Sequence, residues 1–356
     1  MNTDKSLYGI ILQNLTDGRL PKDFSLPAEE DEEEIHFADG AMDGISVYHM
    51  GRSRMDASGT RLMIKALKYA AAGNAEKADE TFAELGKTFR AIGIIDDLQK
   101  YIMKNTEKLS AENVYHSAMY LIGHSHNRES VKFGLSILEL LQVPKEPIKE
   151  IMRRLGLSDE FTIFAVWNMQ KWDNGNEEIF RLIQKVNGWG RIHALERLEP
   201  ETSEIRRWML FEGVNNYVMP AYSALTVWQK ADVQDFLNGK LSKEEFSAIG
   251  QIIAALLDEG PVAGISKIEN AQEMLLDYLD RAGEFDLDIN DYETIYEISL
   301  WAPAEDVDAF AITEECAEIL SSEACTDTVT EAVKEGKGVL LADALGIEYE
   351  EEPEDE

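Results

Sequence analysis

The sequence predicts an all-α protein, and three observations lead to that prediction. Nine prolines in 356 residues leave long segments free to run as uninterrupted helix. From Ser58 onward, apolar residues recur about every 3.6 positions, as they do along one face of an α-helix. Residues 110–138 can also be laid over residues 158–186 without a gap, which indicates a repeated helical unit. No segment shows the two-residue alternation that is typical of a half-buried strand.

Residues 1–57 predict a short helical lead that contains an acidic linker. One helix is expected from Ser6 to Leu15 and a second near Gly40–Met50. The run EEDEEE at residues 29–34 separates them, and such a block of like charge is typical of a solvated linker.

Residues 58–303 predict stacked pairs of helices. In the ungapped overlay Val131 meets Ile179, and the polar turn residue Glu129 meets Glu177. Each unit is therefore predicted to consist of a helix, a short polar turn and a second helix. Because one such pair cannot bury its apolar stripe alone, neighbouring pairs are expected to stack.

The later part of the chain carries clear signals for helix ends. Gly213 follows an apolar helical segment and predicts a left-handed C-cap. Ser242 and Glu245 have the spacing of a capping box and predict a helix start. Residues 304–346 predict two or three short acidic helices that cap the array, and residues 347–356 form a charge block that we expect to be disordered.

The stacked pairs resemble the helical repeats of HEAT and armadillo-type proteins. The unit GWGRIHALERLEPETSEIRRWMLFEG at residues 188–213 carries the resemblance, which extends over about residues 58–301. The resemblance implies an α-α superhelix, or solenoid, whose concave face binds a partner.

The stretch at residues 187–210 also resembles uncharacterised bacterial proteins that sometimes carry the label limonene hydroxylase. A hydroxylase needs haem, flavin or iron for its chemistry. The sequence contains neither a dinucleotide-binding glycine fingerprint nor a recognisable iron-binding triad. We therefore expect no cofactor and no hydroxylase activity.

The charge balance restricts the partners that the protein can bind. With 68 acidic and 34 basic residues the formal net charge is −34, so nucleic acids and anionic membranes are repelled. The imbalance is local, because 30 acidic and 4 basic residues follow from Asp258 onward, whereas Lys145–Arg207 contains 11 of each. We expect an anionic ligand to prefer the middle of the chain. The C-terminal part favours a basic protein or peptide.

The cysteine content and the absence of long apolar segments predict a cytoplasmic protein. Cys316 and Cys325 are the two cysteines, and they cannot supply a disulfide framework for a chain of this length. Both stand among acidic residues, which raise the pKa of a thiol and disfavour a reactive thiolate. No segment approaches the roughly 18 apolar residues that suggest a membrane span. The N-terminus has no secretory signal pattern.

Residues 187–210, NGWGRIHALERLEPETSEIRRWML, are the strongest candidate for a binding site. Five of the six tryptophans fall between Trp167 and Trp228, and arginines and a histidine interleave with them. Such side chains on the inner face of a solenoid can bind a peptide, a nucleobase or a phosphate. The alternative is that the tryptophans fill repeat interfaces and the arginines pair with nearby acids, as Arg207 can with Glu204. The candidate binding residues are Trp167, Trp189, Arg191, His193, Arg197, Arg206, Arg207, Trp208, Asn215, Asn216, Tyr217 and Tyr222.

The preferred function is a non-catalytic scaffold that binds a protein or peptide along its concave face. Two alternatives stay open. The tryptophan and arginine cluster resembles in kind the DNA-alkylation-repeat glycosylases, which present such side chains to damaged DNA from helical repeats. Their catalytic residues do not match this sequence position by position. The other alternative is a metal-supported enzyme that uses a histidine cluster.

That histidine cluster consists of His116, His124 and His126. His116 and His124 are eight positions apart, or about two helical turns, so one helix face can present both. Zinc needs further ligands, and the nearest acid is Glu129. Capping of a helix C-terminus, where histidine is favoured, explains the same residues without a metal.

His49 with Asp39 and Asp43 forms a second candidate metal set. The two carboxylates share one face of a predicted helix. Two acids and a histidine at this spacing also occur by chance in many chains, so the alternative is that they have no common ligand.

Residues 286–297, DLDINDYETIYE, resemble a calcium-binding loop. Acidic or amide side chains occupy its first, third, fifth and twelfth positions, but Asp291 stands where that loop needs glycine. The alternative is a helix over residues 291–302 that Asn290 caps, with Glu293 in its first turn.

Overall fold

The computed structural model describes residues 5–28, 37–51, 53–142, 145–260, 262–304 and 309–349. Over these residues the protein contains 20 α-helices, one π-helical turn and one short 3-10 helix, and it has no β-strand. The all-α prediction is confirmed. The predicted acidic linker at 29–34 and most of the predicted disordered tail, from residue 350, lie outside the described residues.

The chain divides into two compact units. The first contains Met1–Leu198 and Asn216–Val218, and the second contains Glu199–Asn215 and Met219–Glu356. Within the first unit, the pair α3 and α4 packs against the pair α6 and α7. Neighbouring pairs therefore stack locally, and their arrangement into a superhelix stays a prediction.

The first unit contains eleven of the described α-helices and the π-helical turn, which covers Ser46–Met50. The helices are α1 (Leu7–Gln13), α2 (Ala41–Ile45), α3 (Ala57–Ala71), α4 (Ala75–Gly86), α5 (Ala91–Lys104), α6 (Ala111–His124), α7 (Arg128–Leu141), α8 (Glu146–Leu155), α9 (Asp159–Met169), α10 (Gly175–Ile183) and α11 (Gly188–Arg197).

Short polar side chains set the start of many of these helices. Ser6 accepts a hydrogen bond from the backbone N–H of Gly9 and begins α1. Ser110 and Asn127 accept equivalent bonds at the starts of α6 and α7. Each cap satisfies a backbone donor that the helix itself leaves unpaired. Local sequence therefore decides where these helices begin.

Helices α7 and α9 form the centre of the first unit and pack against each other. Residues 129–138 of α7 are all buried, and so are most residues of α9, including Phe161 and Phe164. Both helices are therefore covered on nearly all of their faces, although each also carries charged side chains. The repeat overlay aligns α6–α7 with α9–α10, but α9 makes its most extensive contacts with α11.

The second unit contains the remaining α-helices and a 3-10 helix at Ile265–Lys267. Ser242 and Glu245 form the predicted capping box at the start of α15, and both of its hydrogen bonds are present. The helices are α12 (Ser203–Glu212), α13 (Ala221–Ala231), α14 (Val233–Asn238), α15 (Lys243–Leu257), α16 (Ala271–Ala282), α17 (Ile289–Ala304), α18 (Phe310–Leu320), α19 (Glu323–Val333) and α20 (Val339–Leu345).

Two helix ends differ from the sequence prediction. Gly213 ends α12, but its φ of −63° and ψ of −33° are right-handed, so the predicted left-handed cap is wrong. Glycine is needed there for space, because a Cβ would lie 2.4 Å from the carbonyl oxygen of Met209. At α17, the side chain of Asp288 accepts backbone N–H groups in the place predicted for Asn290, so the helix begins at Ile289.

Candidate functional site

A short glycine-containing segment brings acidic side chains into the centre of the first unit. Gly40, with a φ of +76°, turns the chain into α2. A Cβ at Gly40 would lie 2.6 Å from the carbonyl oxygen of Asp159, and one at Gly44 would lie 2.2 Å from the ring of Trp189. Because neither glycine carries a side chain, α2 packs directly on α9 and α11. Asp43 of this segment is thereby buried.

Lys132 of α7 is enclosed by three carboxylates. Its Nζ lies 2.7 Å from Oδ2 of Asp43, 3.0 Å from Oε1 of Glu129 and 2.5 Å from Oε1 of Glu160. The Lys132 side chain is fully buried. A buried charge is tolerated when it is paired and hydrogen-bonded in this way. We call Asp43, Glu129, Lys132 and Glu160, together with Arg128 and Asp39, the charge network.

Burial and charge act in opposite directions on this network. Burial on its own lowers the pKa of Lys132, but Asp43, Glu129 and Glu160 raise it well above its ordinary value. Burial raises the pKa of Asp43 to about 7, against the opposing effect of Lys132. Burial also acts to raise the pKa of Glu160, but Lys132 and Arg128 outweigh it and lower that pKa. The lysine therefore stays protonated.

Arg128 connects the charge network to a loop. Its Nη1 lies 3.0 Å from Oδ1 of Asp39 and 3.3 Å from Oε2 of Glu160. Its Nη2 donates to the carbonyl oxygens of Leu26 and Pro27, each at 3.2 Å. The backbone N–H of Leu26 donates in turn to Oδ2 of Asp39 at 2.9 Å. These charge-assisted hydrogen bonds fix the loop against α7 and α9.

Two carboxylates of the network also cap helices. Oε2 of Glu129 accepts from the backbone N–H of Ala91 at 2.6 Å, at the start of α5. Oε2 of Glu160 accepts from the backbone N–H of Gly40 at 2.8 Å, just before α2. A negative charge at a helix N-terminus is stabilised by the helix dipole. Both carboxylates therefore support the fold as well as the charge of Lys132.

The two glycines of the sequence NGWG leave space for the carboxyl group of Asp159. Asp159 lies in the first turn of α9, and its carboxyl group accepts hydrogen bonds from the backbone of Gly190 and Trp189. A Cβ at Gly188 would lie 2.1 Å from Oδ2 of Asp159, and one at Gly190 would lie 2.5 Å from Oδ1. Burial, with the nearby charges of Asp39 and Glu160, raises the pKa of Asp159 to about 8. The glycines of NGWG thus allow the start of α11 to pack closely against the start of α9.

Three of the predicted binding residues lie in the interior on α11. Trp189, Arg191 and His193 are 7%, 8% and 1% exposed. The imidazole ring of His193 stacks on the ring of Tyr48, with centroids 6.3 Å apart, and on that of Trp189, at 6.1 Å. The hydroxyl of Tyr48 donates to Oε1 of Glu196 at 2.5 Å. These side chains contribute to the packing of the first unit.

The other candidates of the first unit are partly or fully accessible, with one exception. Trp167 is half-buried, and its ring meets that of Phe164 edge-on. Arg197 is also half-buried. Asn216 is buried and accepts a hydrogen bond from the backbone of Val218, whereas Tyr217 is 75% exposed.

The remaining candidates belong to the second unit, so the predicted cluster is divided between two units. Arg206 donates to Oδ2 of Asp235 at 2.7 Å, and Arg207 pairs with Glu245. The expected pairing of Arg207 with Glu204 is therefore wrong, because Glu245 of α15 takes that place. Trp208 and Tyr222 are half-buried, and Asn215 is exposed.

The predicted histidine cluster does not converge on one point. Nε2 of His116 lies 4.0 Å from Glu112, and the His124 ring contacts Tyr120. Nδ1 of His126 lies 2.6 Å from the carbonyl oxygen of Lys5.

The second metal set is also separated, because Asp39 and Asp43 contact Arg128 and Lys132 while His49 is exposed. Over the described part of the chain, no group of three or more His, Cys, Asp or Glu residues has a geometry that can hold a metal ion.

A large cleft borders the charge network. It has a volume of about 1120 Å³, and we call it the Phe37 cleft. Arg128, Glu129 and Glu160 form the part of its wall that belongs to the network. Its other charged wall residues are Lys5, Lys87 and Arg90, and its apolar wall residues include Leu7, Ile10, Phe37, Met42, Met50 and Ile92.

Comparison with protein-family models gives no match, and neither do comparisons with curated proteins and with solved structures. Among the described residues, no helix has both the length and the apolar character that crossing a membrane requires.

Proposed function

We propose that this protein is a non-catalytic binding module, and that the Phe37 cleft holds a peptide segment of a partner protein. The observation that supports this proposal most strongly is the combination of exposed apolar side chains and arginines in one cleft. The segment that fits the cleft carries acidic and apolar side chains together.

The apolar part of the cleft suits a flexible peptide. Phe37 is 50% exposed and Met50 is 67% exposed, and Met42 lines the same cleft. Exposed apolar side chains that are grouped together commonly mark an interaction surface. Methionine adapts its shape to different partners because its side chain is unbranched and polarisable.

The charge of the cleft selects an acidic segment. Arg90 and Arg128 lie in its wall with Lys5, within a chain whose net charge is −34. The carboxylates in the same wall are already engaged, because Glu129 pairs with Lys132 and Glu160 pairs with both Lys132 and Arg128. The basic side chains that a partner carboxylate meets in the wall are therefore Lys5, Lys87, Arg90 and Arg128. The basic partner that the C-terminal part favours is a separate expectation.

Neither the buried lysine beside the cleft nor the two cysteines of the second unit are suited to nucleophilic chemistry, which supports a binding function over a catalytic one. Lys132 is enclosed and stays charged, so it cannot act as a nucleophile. Burial raises the pKa of Cys316 to about 12 and that of Cys325 to about 11. Neither cysteine then provides a thiolate near neutral pH.

The proposal is tested with short fluorescent helical peptides and anisotropy. One peptide combines Leu with Glu, a second combines Leu with Lys, and a third combines Ser with Glu. We expect the Leu–Glu peptide to bind at least about tenfold more tightly than either of the others. Met50→Asp should weaken that binding by about tenfold or more, because it removes an apolar contact and adds a repulsive charge.

Met103→Asp provides the matched control. Met103 is 57% exposed on α5 and does not line the cleft, so its substitution should leave the affinity unchanged. Equal affinity for all three peptides, or an equal loss in both variants, contradicts the proposed peptide site.

A further inference from the structure

The first unit contains a second cleft that has a different lining. Two cavities of about 270 and 480 Å³ share Leu157 and Lys185 in their walls. We call these two neighbouring cavities the Lys185 cleft. The larger of the two is by itself in the size range of pockets that hold small organic ligands. Ala38 borders both this cleft and the Phe37 cleft.

Positive charge is concentrated in the Lys185 cleft. Its wall contains Lys22, Arg153, Arg154, Arg181 and Lys185. The acidic side chains of the wall are engaged with arginines. Glu178 accepts from Arg153 at 2.8 and 2.9 Å, Glu150 accepts from Arg154 at 2.7 Å, and Asp39 lies 3.0 Å from Arg128.

Two ammonium groups of the wall have no such counter-charge. Within the described residues, neither Lys22 nor Lys185 forms an ion pair. Asp159, also in the wall, adds no full negative charge at neutral pH, since burial raises its pKa to about 8. Asp17 and Asp23 lie in the neighbouring loop and do not line the cleft.

A buried hydroxyl in the same wall provides an independent sign of a ligand. Ser158 is 1% exposed and stands at the N-cap of α9, where its side chain makes no capping bond. In the described structure its Oγ has no hydrogen-bond partner. Buried hydroxyls are normally paired, and an unpaired one requires an explanation. A ligand atom bound in the cleft is such a partner.

An aromatic side chain is held at the edge of the cleft by an unusual backbone conformation. Tyr217 has a φ of +60°, which residues with bulky side chains rarely adopt. The side chain of Asn216 accepts from the backbone N–H of Val218 at 2.9 Å and fixes this turn. Nζ of Lys22 lies 5.5 Å from the centre of the Tyr217 ring, which is 75% exposed. Strain of this kind is concentrated at functional sites.

We propose that the Lys185 cleft binds an aromatic organic phosphate of about the size of a nucleoside monophosphate. The phosphate lies between Lys22 and Lys185, where charge-assisted hydrogen bonds favour it. The ring of the ligand stacks on Tyr217, and a polar atom of the ligand bonds with Oγ of Ser158. This inference does not depend on the peptide site that is proposed for the Phe37 cleft.

Calorimetric titration of the full-length protein tests this inference. The probes are adenosine 5′-monophosphate, uridine 5′-monophosphate and phenyl phosphate, with adenosine, benzoate and inorganic phosphate as references. We expect at least one aromatic phosphate to bind about tenfold more tightly than every reference, because ring and phosphate contacts combine. If none of the three exceeds inorganic phosphate, or if benzoate binds equally well, the inference is overturned.

Variants of this protein distinguish binding at the proposed site from nonspecific attraction between the ligand and surface lysines. Lys185→Met should weaken binding by about tenfold, the typical effect of losing a charged hydrogen bond. Lys100→Met is the matched control, because Lys100 is exposed on α5 and lines neither cavity. Ser158→Ala should weaken binding without lowering the melting temperature, since Oγ has no hydrogen-bond partner among the described residues. Equal binding by the two lysine variants contradicts the assignment.

Discussion

Nζ of Lys132 lies 2.5 Å from Oε1 of Glu160, and both side chains are buried. Lys132 belongs to α7 and Glu160 to α9, so the contact joins the two central helices of the first unit. The same ammonium group contacts Asp43, which continues the connection to α2. The interior of this unit is therefore held together by charge as well as by apolar packing. Several expected outcomes depend on that arrangement.

Removal of the ammonium group should destabilise the first unit strongly. Lys132→Met leaves Asp43, Glu129 and Glu160 buried without their cation, and such changes cost about 3–5 kcal/mol. Urea unfolding followed by circular dichroism measures the loss. Lys100→Met, at an exposed position of α5, is the control and should change stability little. A second substitution, Asp43→Asn, should recover part of the loss, because Lys132 is the cation that pairs with Asp43 in the described structure and one uncompensated carboxylate disappears.

Stability should also depend on pH through Asp159. Burial raises the pKa of its carboxyl group to about 8 in the folded protein, with Asp39 and Glu160 adding to the effect. The folded state thus holds a proton that the unfolded chain releases above about pH 4. The resulting stabilisation is complete below that pH and is lost as the pH rises through 8.

The Asp159→Asn variant isolates this contribution, since the amide cannot titrate. Unfolding free energies of both proteins are compared at several pH values between 5 and 8. The stability of the wild-type protein relative to the variant should fall steadily as the pH rises over that range. A difference that stays constant across the range shows that Asp159 has an ordinary pKa.

Because α2 packs closely against α11, the replacement of glycine by alanine should have opposite effects on stability at Gly44 of α2 and at Gly123 of α6. Gly44→Ala places a Cβ 2.2 Å from the Trp189 ring, and overpacking of this kind costs about 1–3 kcal/mol. At Gly123 of α6, no neighbouring element in the described part of the chain comes within 4 Å of the added Cβ. Gly123→Ala should stabilise the protein by about 0.4–1 kcal/mol, because alanine restricts the unfolded chain. Thermal unfolding of both variants decides whether α2 packs as described.

Alanine substitutions in the tryptophan and arginine cluster should lower stability strongly at buried residues and little at exposed ones. Trp189 is 7% exposed, so Trp189→Ala should cost about 3–5 kcal/mol of stability. The Arg207 side chain is 56% exposed in its pair with Glu245, so Arg207→Ala should cost less than about 1 kcal/mol. Chemical denaturation gives both values. A stable Trp189→Ala protein that has lost partner binding supports the groove interpretation instead.

Helix starts could be predicted from the sequence because their causes are local. Ser242 and Glu245 are three residues apart, and their spacing alone indicates a capping box. The burial of α9 is also indicated by the largely apolar run FTIFAV at residues 161–166. Structural features that depend only on neighbouring residues within one helix can be predicted from the sequence alone.

The charge network could not be predicted in the same way. Asp43, Lys132 and Glu160 are far apart in the chain, and each taken alone resembles an exposed residue of an amphipathic helix. One signal was present, because Lys132 interrupts the otherwise apolar stretch around Val131 and Phe133. The partners of the lysine become evident when three helices are placed together.

The same reason explains the outcome for the stretch at 187–210. Its aromatic and basic side chains suggest a groove, but its glycines are required by the carboxyl group of Asp159, which comes from another helix. Aromatic and basic side chains have similar sequence patterns in a surface site and in a packed interior. Their burial is decided by contacts with residues such as Tyr48 that lie far away in the sequence.

The most direct test of the proposed binding function uses the methyl signals of methionine in nuclear magnetic resonance. Protein labelled at the methionine methyl groups is titrated with the Leu–Glu peptide. The proposed function predicts shifts for Met42 and Met50, which line the Phe37 cleft, and no shift for Met103, which lies outside it. Unchanged Met42 and Met50 signals at saturating peptide contradict the proposal, and so do equal shifts at all three residues.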